Sequence, residues 1–147
     1  MTQDSARVVA LRLLGRRDYT AAELRRRLID RGFAPDLVDA TIADLREQGL
    51  QNDTRAALAH VRTASRVKGR GPHRIKYELQ ARGVPADAIE ESTASLTPED
   101  VRETLERLLA RKRITLPLPP DERHRLFQRL LRRGFPADAI LAVLKEK

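Results

Sequence analysis

The sequence predicts an all-α protein built from three tandem three-helix repeats. The first support is a period. Gly32, Gly83 and Gly134 recur at one interval, 83 − 32 = 134 − 83 = 51 residues. The second is what surrounds them: LRRRLIDRGFAPDLV, IKYELQARGVPADAI and LFQRLLRRGFPADAI align without a gap. Each has an apolar residue eight before the glycine (Leu24, Ile75, Leu126) and a leucine four before it (Leu28, Leu79, Leu130). Arg31, Arg82 and Arg133 precede the glycines, Asp36, Asp87 and Asp138 follow four later, and Val38, Ile89 and Ile140 follow six later. Such self-similarity marks a repeat architecture. The third support is negative, since little of the chain alternates with the period of two that strands need. The units are read as about 5–50, 51–96 and 97–147.

The elements follow in order. In the first unit Thr20-Ala-Ala-Glu23 is a capping box, with Tyr19 and Leu24 placed as a hydrophobic staple around it. Leu24 and Leu28 stand one turn apart on a helix face, and Gly32 supplies the left-handed residue that ends the helix. Pro35, Pro85 and Pro136 are each expected in the first turn of the next helix, where a missing N–H costs nothing. Val38, Ile42 and Leu45 complete the first core. In the second unit a long first helix ends at Gly69 and Gly71, and Pro72 opens a helix whose core face holds Ile75 and Leu79, followed by Ile89. The third unit begins at Thr97-Pro98-Glu99-Asp100, a cap, a proline and two acids at the positive end of a helix dipole. Leu105, Leu108, Leu126, Leu130, Ile140 and Leu144 are its core positions. Between them RITLPLPP (113–120) carries three prolines and reads as an extended linker that sets the third unit at a different angle. A fifty-residue helical unit buries little by itself, so neighbouring units are expected to share apolar faces as in a solenoid.

Composition narrows the function. The chain has 147 residues, 29 Lys and Arg against 21 acids, and a formal net charge of +8. Such an excess favours a polyanionic partner, nucleic acid first. With no cysteine there are no disulfides, thiolate metal sites or cysteine nucleophiles. The N-terminal MTQDSARVVALRLLGRR has an apolar run too short and too charged for a signal peptide or a membrane span, so the cytoplasm is expected and a membrane is not. Five aromatics (Tyr19, Phe33, Tyr77, Phe127, Phe135) leave little material for a base-stacking sheet.

The charge is also segregated. Segment 62–82 holds seven Lys/Arg and one acid, Glu78, while 84–98 holds Asp87, Glu90 and Glu91 with no base. Segment 34–48 is acidic too, with Asp36, Asp39, Asp44 and Glu47 against Arg46. Second helices are therefore positive and third helices mostly negative, which in register would make a basic stripe with acidic flanks. Arg25, Arg26, Arg66, Lys68, Arg70, Arg74, Lys76, Arg129 and Arg132 are its candidate contacts for nucleic acid or for a protein–nucleic-acid filament.

Catalysis finds no support. RVKGRGPHR (66–74) lacks the GxxxxGK[ST] spacing of a phosphate loop and no strand precedes it. A minor-groove arm is a poor match, because a helix flanks it on either side. His60, His73 and His124 lack metal-ligand spacing, and no cofactor site or nucleophile–base pair can be argued. An interhelical turn that doubles as a polyanion contact is the reading left. No enzyme is expected.

The same residues carry a family resemblance. EL-RRRLIDRGF, GLQNDTRAA, RVKGRGPHRIKYELQARGV and RKRITLPLPPDERHRLFQRLLRRGFPADAI, in this order over roughly 8–147, resemble the RecX family of regulators of the RecA recombinase. The resemblance implies tandem three-helix repeats in a curved, elongated monomer. It implies a RecA filament on single-stranded DNA as partner, restrained in growth and activity, with no hydrolysis by the regulator itself. Lys68, Gly69, Gly71, Arg74, Ile75, Glu78, Leu79 and Gly83 match the motif; the glycines, Ile75 and Leu79 look structural, and Lys68 and Arg74 look like contacts. Asn52 replaces one acid of the GLQND marker, and Ser65 stands where a basic residue is expected.

Two other classes compete. A DNA-binding transcriptional regulator could present one helix of a three-helix unit to the major groove of double-stranded DNA. Against it, no dimerisation segment is evident and the sole Asn of the chain is Asn52, which leaves little to read bases with. A pure protein scaffold would be indifferent to nucleic acid.

Overall fold

The computed structural model describes residues 2–145, and every regular element in them is helical. In chain order these are α1 (Gln3–Leu14), α2 (Ala21–Asp30), α3 (Pro35–Glu47), α4 (Asp53–Arg62), a π-helical turn (Thr63–Val67), α5 (Pro72–Ala81), α6 (Ala86–Thr93), α7 (Pro98–Arg111), α8 (Pro120–Arg132) and α9 (Ala137–Leu144). None is long and apolar enough to cross a membrane.

The chain forms two compact units. One holds the residues up to Ala59 together with Leu79–Ser92, and the other holds His60–Glu78 and the chain from Thr93 onward. The boundary falls inside α4 and α5 and before the last residue of α6, so neither unit coincides with one sequence repeat.

In the first unit α1, α2 and α3 pack against one another around Ala6, Ala10, Leu24, Leu28, Val38 and Leu45, all fully buried. Thr20 caps α2 by accepting from Glu23 N at 3.1 Å while Glu23 Oε1 accepts from Thr20 N at 3.0 Å. Tyr19 and Leu24, the staple, are both buried. The turn after α2 is a Schellman motif, with Gly32 at φ 96° and Phe33 N bonding back to Leu28 O at 3.3 Å. Phe33, Val84 and Phe135 each follow a repeat glycine and each is buried, which is the apolar contact that normally closes this motif.

The GLQND marker has a structural use here. Buried Gln51 donates its amide to Tyr19 O at 3.1 Å and to Asp53 Oδ1 at 2.9 Å, and Asp53 Oδ1 also accepts from Ala21 N at 2.8 Å. Asn52 caps α4 by accepting from Arg55 N at 2.9 Å, a task Asn performs as well as Asp.

The second unit packs α7 and α8 against α9 around Leu105, Leu126, Leu130, Phe135 and Ile140. Thr97 and Asp100 form a second reciprocal capping box, with both bonds at 3.1 Å. The expected linker at 113–120 is not a spacer. It joins α7 to α8 within this unit, and Ile114, Leu116 and Leu118 lie on the core because apolar residues alternate with its prolines.

Two further expectations need correction. Only Pro35 sits inside the first turn of its helix; Pro85 and Pro136 stand just before theirs, where their carbonyls accept from Ile89 N and Ile140 N. Ile89 is half-buried rather than core. Ala88 and Ser92, one turn apart, take the inward face of α6, and such small side chains let the helix sit close to its neighbours.

Candidate functional site

The two Arg–Gly turns that close the later repeats build the same joint, one in each unit. In the first unit the turn at Arg82–Gly83 meets the start of α2. Thr20 Oγ1 donates to Arg82 O at 3.2 Å, and a Cβ on Gly83 would lie 2.5 Å from Ala22 Cβ. The Arg82 guanidinium donates to Glu23 from Nε at 3.2 Å and from Nη2 at 2.9 Å. Burial by itself would raise the Glu23 carboxyl, but the Arg82 hydrogen bond, the Thr20 amide and the charges of Arg82 and Arg17 outweigh it and hold the pKa below its ordinary value.

A carboxyl depressed in the folded state stabilises the fold above its unfolded pKa, and that share is lost as pH falls through the folded value. Chemical denaturation midpoints should therefore drop as pH is lowered through the carboxylate range, and Glu23→Gln should flatten part of that drop. An unchanged pH profile in the variant would remove the joint from this role.

In the second unit the turn at Arg133–Gly134 meets the start of α5. That helix opens with Gly71 and Pro72 and has no Ser, Thr or Asp to cap it. Its free N–H groups are satisfied instead by the turn: Gly71 N donates to Arg133 O at 2.8 Å and His73 N to Gly134 O at 2.9 Å. The Arg133 side chain then donates to Gly69 O (3.2 Å) and Lys68 O (2.8 Å). This is the gate KGRGPHR. Gly69 takes a left-handed φ of 63°, Gly71 allows backbone to touch backbone, Pro72 starts α5, and Arg133 closes over the carbonyls. The π-helical turn before it, in which Lys68 N reaches Thr63 O at 3.1 Å, inserts the extra residue that brings the chain to Gly69.

Around this joint the cations concentrate. Burial, then the charges of Arg74, Arg70 and Arg111, lower the Arg133 pKa, although a guanidinium stays protonated at neutral pH. Glu78 offsets the cluster. It accepts from Arg70, pairs with Arg74 at 3.6 Å and lies 3.1 Å from His60 Nε2. Arg74 and Arg132 line one open hollow with His73, Tyr77 and Leu131. Arg129 and Arg132 line a second, beside His124, Arg125 and one acid, Glu122. Arg132 borders both hollows, so Arg74, Arg132, Arg129 and Arg125 make one basic band.

Other candidates lie elsewhere. Arg66 is exposed beside Asp100, whose carboxyl is held low by the Thr97 amide and hydroxyl and, to a smaller degree, by Arg66 itself. Lys68 and Lys76 are exposed outside both hollows. In the first unit Arg26 is exposed and Arg25 is paired with Asp39 at 2.8 Å, so there the two charge signs mix on the surface. Sequence reasoning passed over Arg133, Glu78, Arg125 and Tyr77. Arg133 carried a signal as a member of the Arg31/Arg82/Arg133 series, and Glu78 as the one acid of 62–82 and a match to the family motif. Among the described residues no group of acids and histidines is gathered to hold a metal.

Capped helical bundles, joined by Arg–Gly turns and carrying surplus cations on one band, define a helical-repeat protein with a concentrated cationic face. Three family models match it in tandem: the first three-helix domain of RecX over residues 6–45, the second over 52–92 and the third over 99–144. The chain belongs to the RecX family. It is 38% identical to the regulatory protein RecX of Halorhodospira halophila, over 95% of this chain and 86% of that one. With the regulatory protein RecX of Chromohalobacter salexigens the identity is 39%, over 89% and 85% of the two chains. The crystal structure of RecX from Lactobacillus salivarius shares the fold, with a TM-score of 0.84, 24% identity and coverage of 97% and 94%.

Proposed function

We propose that this protein binds the RecA filament on single-stranded DNA and restrains its extension, its ATP hydrolysis and strand exchange. Membership of the RecX family supports the partner, and the observation that carries the contact is the band of Arg74, Arg132, Arg129 and Arg125, four guanidinium groups against two acids, Glu78 and Glu122, in the same two hollows. A row of guanidinium groups at this density suits phosphates or an acidic protein surface, because each fork can hold two oxygens at once. The protein acts as a cytoplasmic monomer and by binding alone. A ligand that bridges filament protomers opposes any rearrangement that separates or rotates them.

The test adds the protein, below the molar amount of RecA, to filaments assembled on single-stranded DNA. ATP hydrolysis and strand exchange should slow, and co-sedimentation should place the protein in the filament pellet. Unchanged rates at equimolar protein, with a palindromic footprint on duplex DNA, would replace this reading with that of a transcriptional regulator.

A further inference from the structure

The proposed contact uses charge alone and leaves one large side chain on the same surface without a task. Tyr77 is 72% exposed, more than any other large apolar or aromatic side chain described. The second tyrosine shows what a structural role looks like here. Tyr19 is 5% exposed, and the Arg17 and Arg27 guanidinium groups lie 3.8 and 5.5 Å from its ring centroid. Among the described residues Tyr77 has neither a hydrogen bond nor a cation–π contact.

Its surroundings are specific. Tyr77 lies one turn after His73 on α5 and shares the hollow with Arg74, Arg132 and the partly exposed Leu131. An aromatic wall, an aliphatic patch and two guanidinium groups meet in this open hollow, with the Glu78 carboxylate beside Arg74. Charge would suffice to hold phosphates, so the ring and the leucine ask for something flat and apolar between them.

We propose that Tyr77 stacks on an unpaired nucleobase of single-stranded nucleic acid, while Arg74 and Arg132 hold the flanking phosphates. Every base offers a π face, so such a site is indifferent to sequence. In a duplex both faces of each base are covered by neighbours, and a ring fixed on a helix cannot enter. The site therefore distinguishes single strands from duplex at equal charge. This rests on the polyanion contact proposed above and adds to it the chemistry of the bases.

The test compares an oligothymidylate with an abasic strand of equal phosphate number. Wild type should bind the oligothymidylate about 5- to 150-fold more tightly, the range expected for one stacked base. Tyr77→Ala should abolish the preference and leave the salt dependence unchanged, whereas Tyr77→Phe and Tyr77→Trp should keep the preference. The chain has no tryptophan, so quenching of tyrosine emission on binding gives a second readout that buried Tyr19 does not share. Equal binding of both strands by wild type overturns stacking and leaves the phosphate contact standing. Failure to bind either strand overturns both. A Tyr77→Ala variant that binds DNA like wild type but leaves the RecA filament also overturns stacking and makes the ring a protein contact.

Discussion

Gly71→Ala should destabilise the protein by at least about 3 kcal/mol, the lower end of the sum expected for overpacking and for two backbone groups left unpaired. The reason is local. A Cβ at residue 71 would lie 2.4 Å from both the carbonyl carbon of Gly134 and the amide nitrogen of Phe135, and 2.5 Å from Gly134 O. All three are backbone atoms, so no side chain can swing aside. The turn at Arg133–Gly134 must retreat, which breaks the bonds from Gly71 N and His73 N and pulls Arg133 away from Gly69 and Lys68. Gly49→Ala is the control. Gly49 has a φ of 75° but nothing within 4 Å of an added Cβ, so the cost there is about 1–2 kcal/mol of left-handed strain. Denaturant titration followed by circular dichroism measures both. A loss at Gly71 no larger than at Gly49 would show that the joint yields.

Reversing Arg74 and Arg132 together should weaken single-stranded DNA binding most among pairs of exposed side chains, and should change its salt dependence. About four phosphate contacts give a slope of log affinity against log salt near −3, and removing two should bring it to about −1.5. The side chains are exposed and outside the core, and Glu78 keeps Arg70 and His60 as partners. Helicity should therefore survive. Asp36→Lys with Glu47→Lys, on exposed positions of acidic α3, should not weaken binding. A shallow slope in the wild type would refute the phosphate role, and a gain in the acidic-helix variant as large as the loss in the arginine variant would make the effect one of net charge rather than of the band.

The repeat, the helix ends and most of the core were legible in the residues because they depend on local chemistry. A left-handed glycine, a capping box and leucines one turn apart are each decided within a few neighbours along the chain. Gly32, Gly83 and Gly134, Thr20 with Glu23, and Thr97 with Asp100 therefore stand where the sequence placed them. The failures share the opposite property. Ile89 lost its core place to Ala88 and Ser92 because neighbouring helices, not the period, decide which face turns inward. RITLPLPP packs on its unit because its apolar residues had a surface to meet, which proline content alone does not reveal.

The candidate site divides along the same line. Sequence alone determined that positive charge gathers in 62–82 and in the last repeat, since charge is a property of each side chain. Tertiary structure alone decided which cations stand together: Arg66 turned toward Asp100, Arg25 was taken by Asp39, and Arg74 met Arg132 across 58 residues, 132 − 74. It also made Arg133 a clasp on Gly69 and Lys68 and left Tyr77 in the open. Electrostatic and stacking contacts depend on distances between atoms far apart in the chain, and only the packing of α5 against the Arg133–Gly134 turn sets those distances.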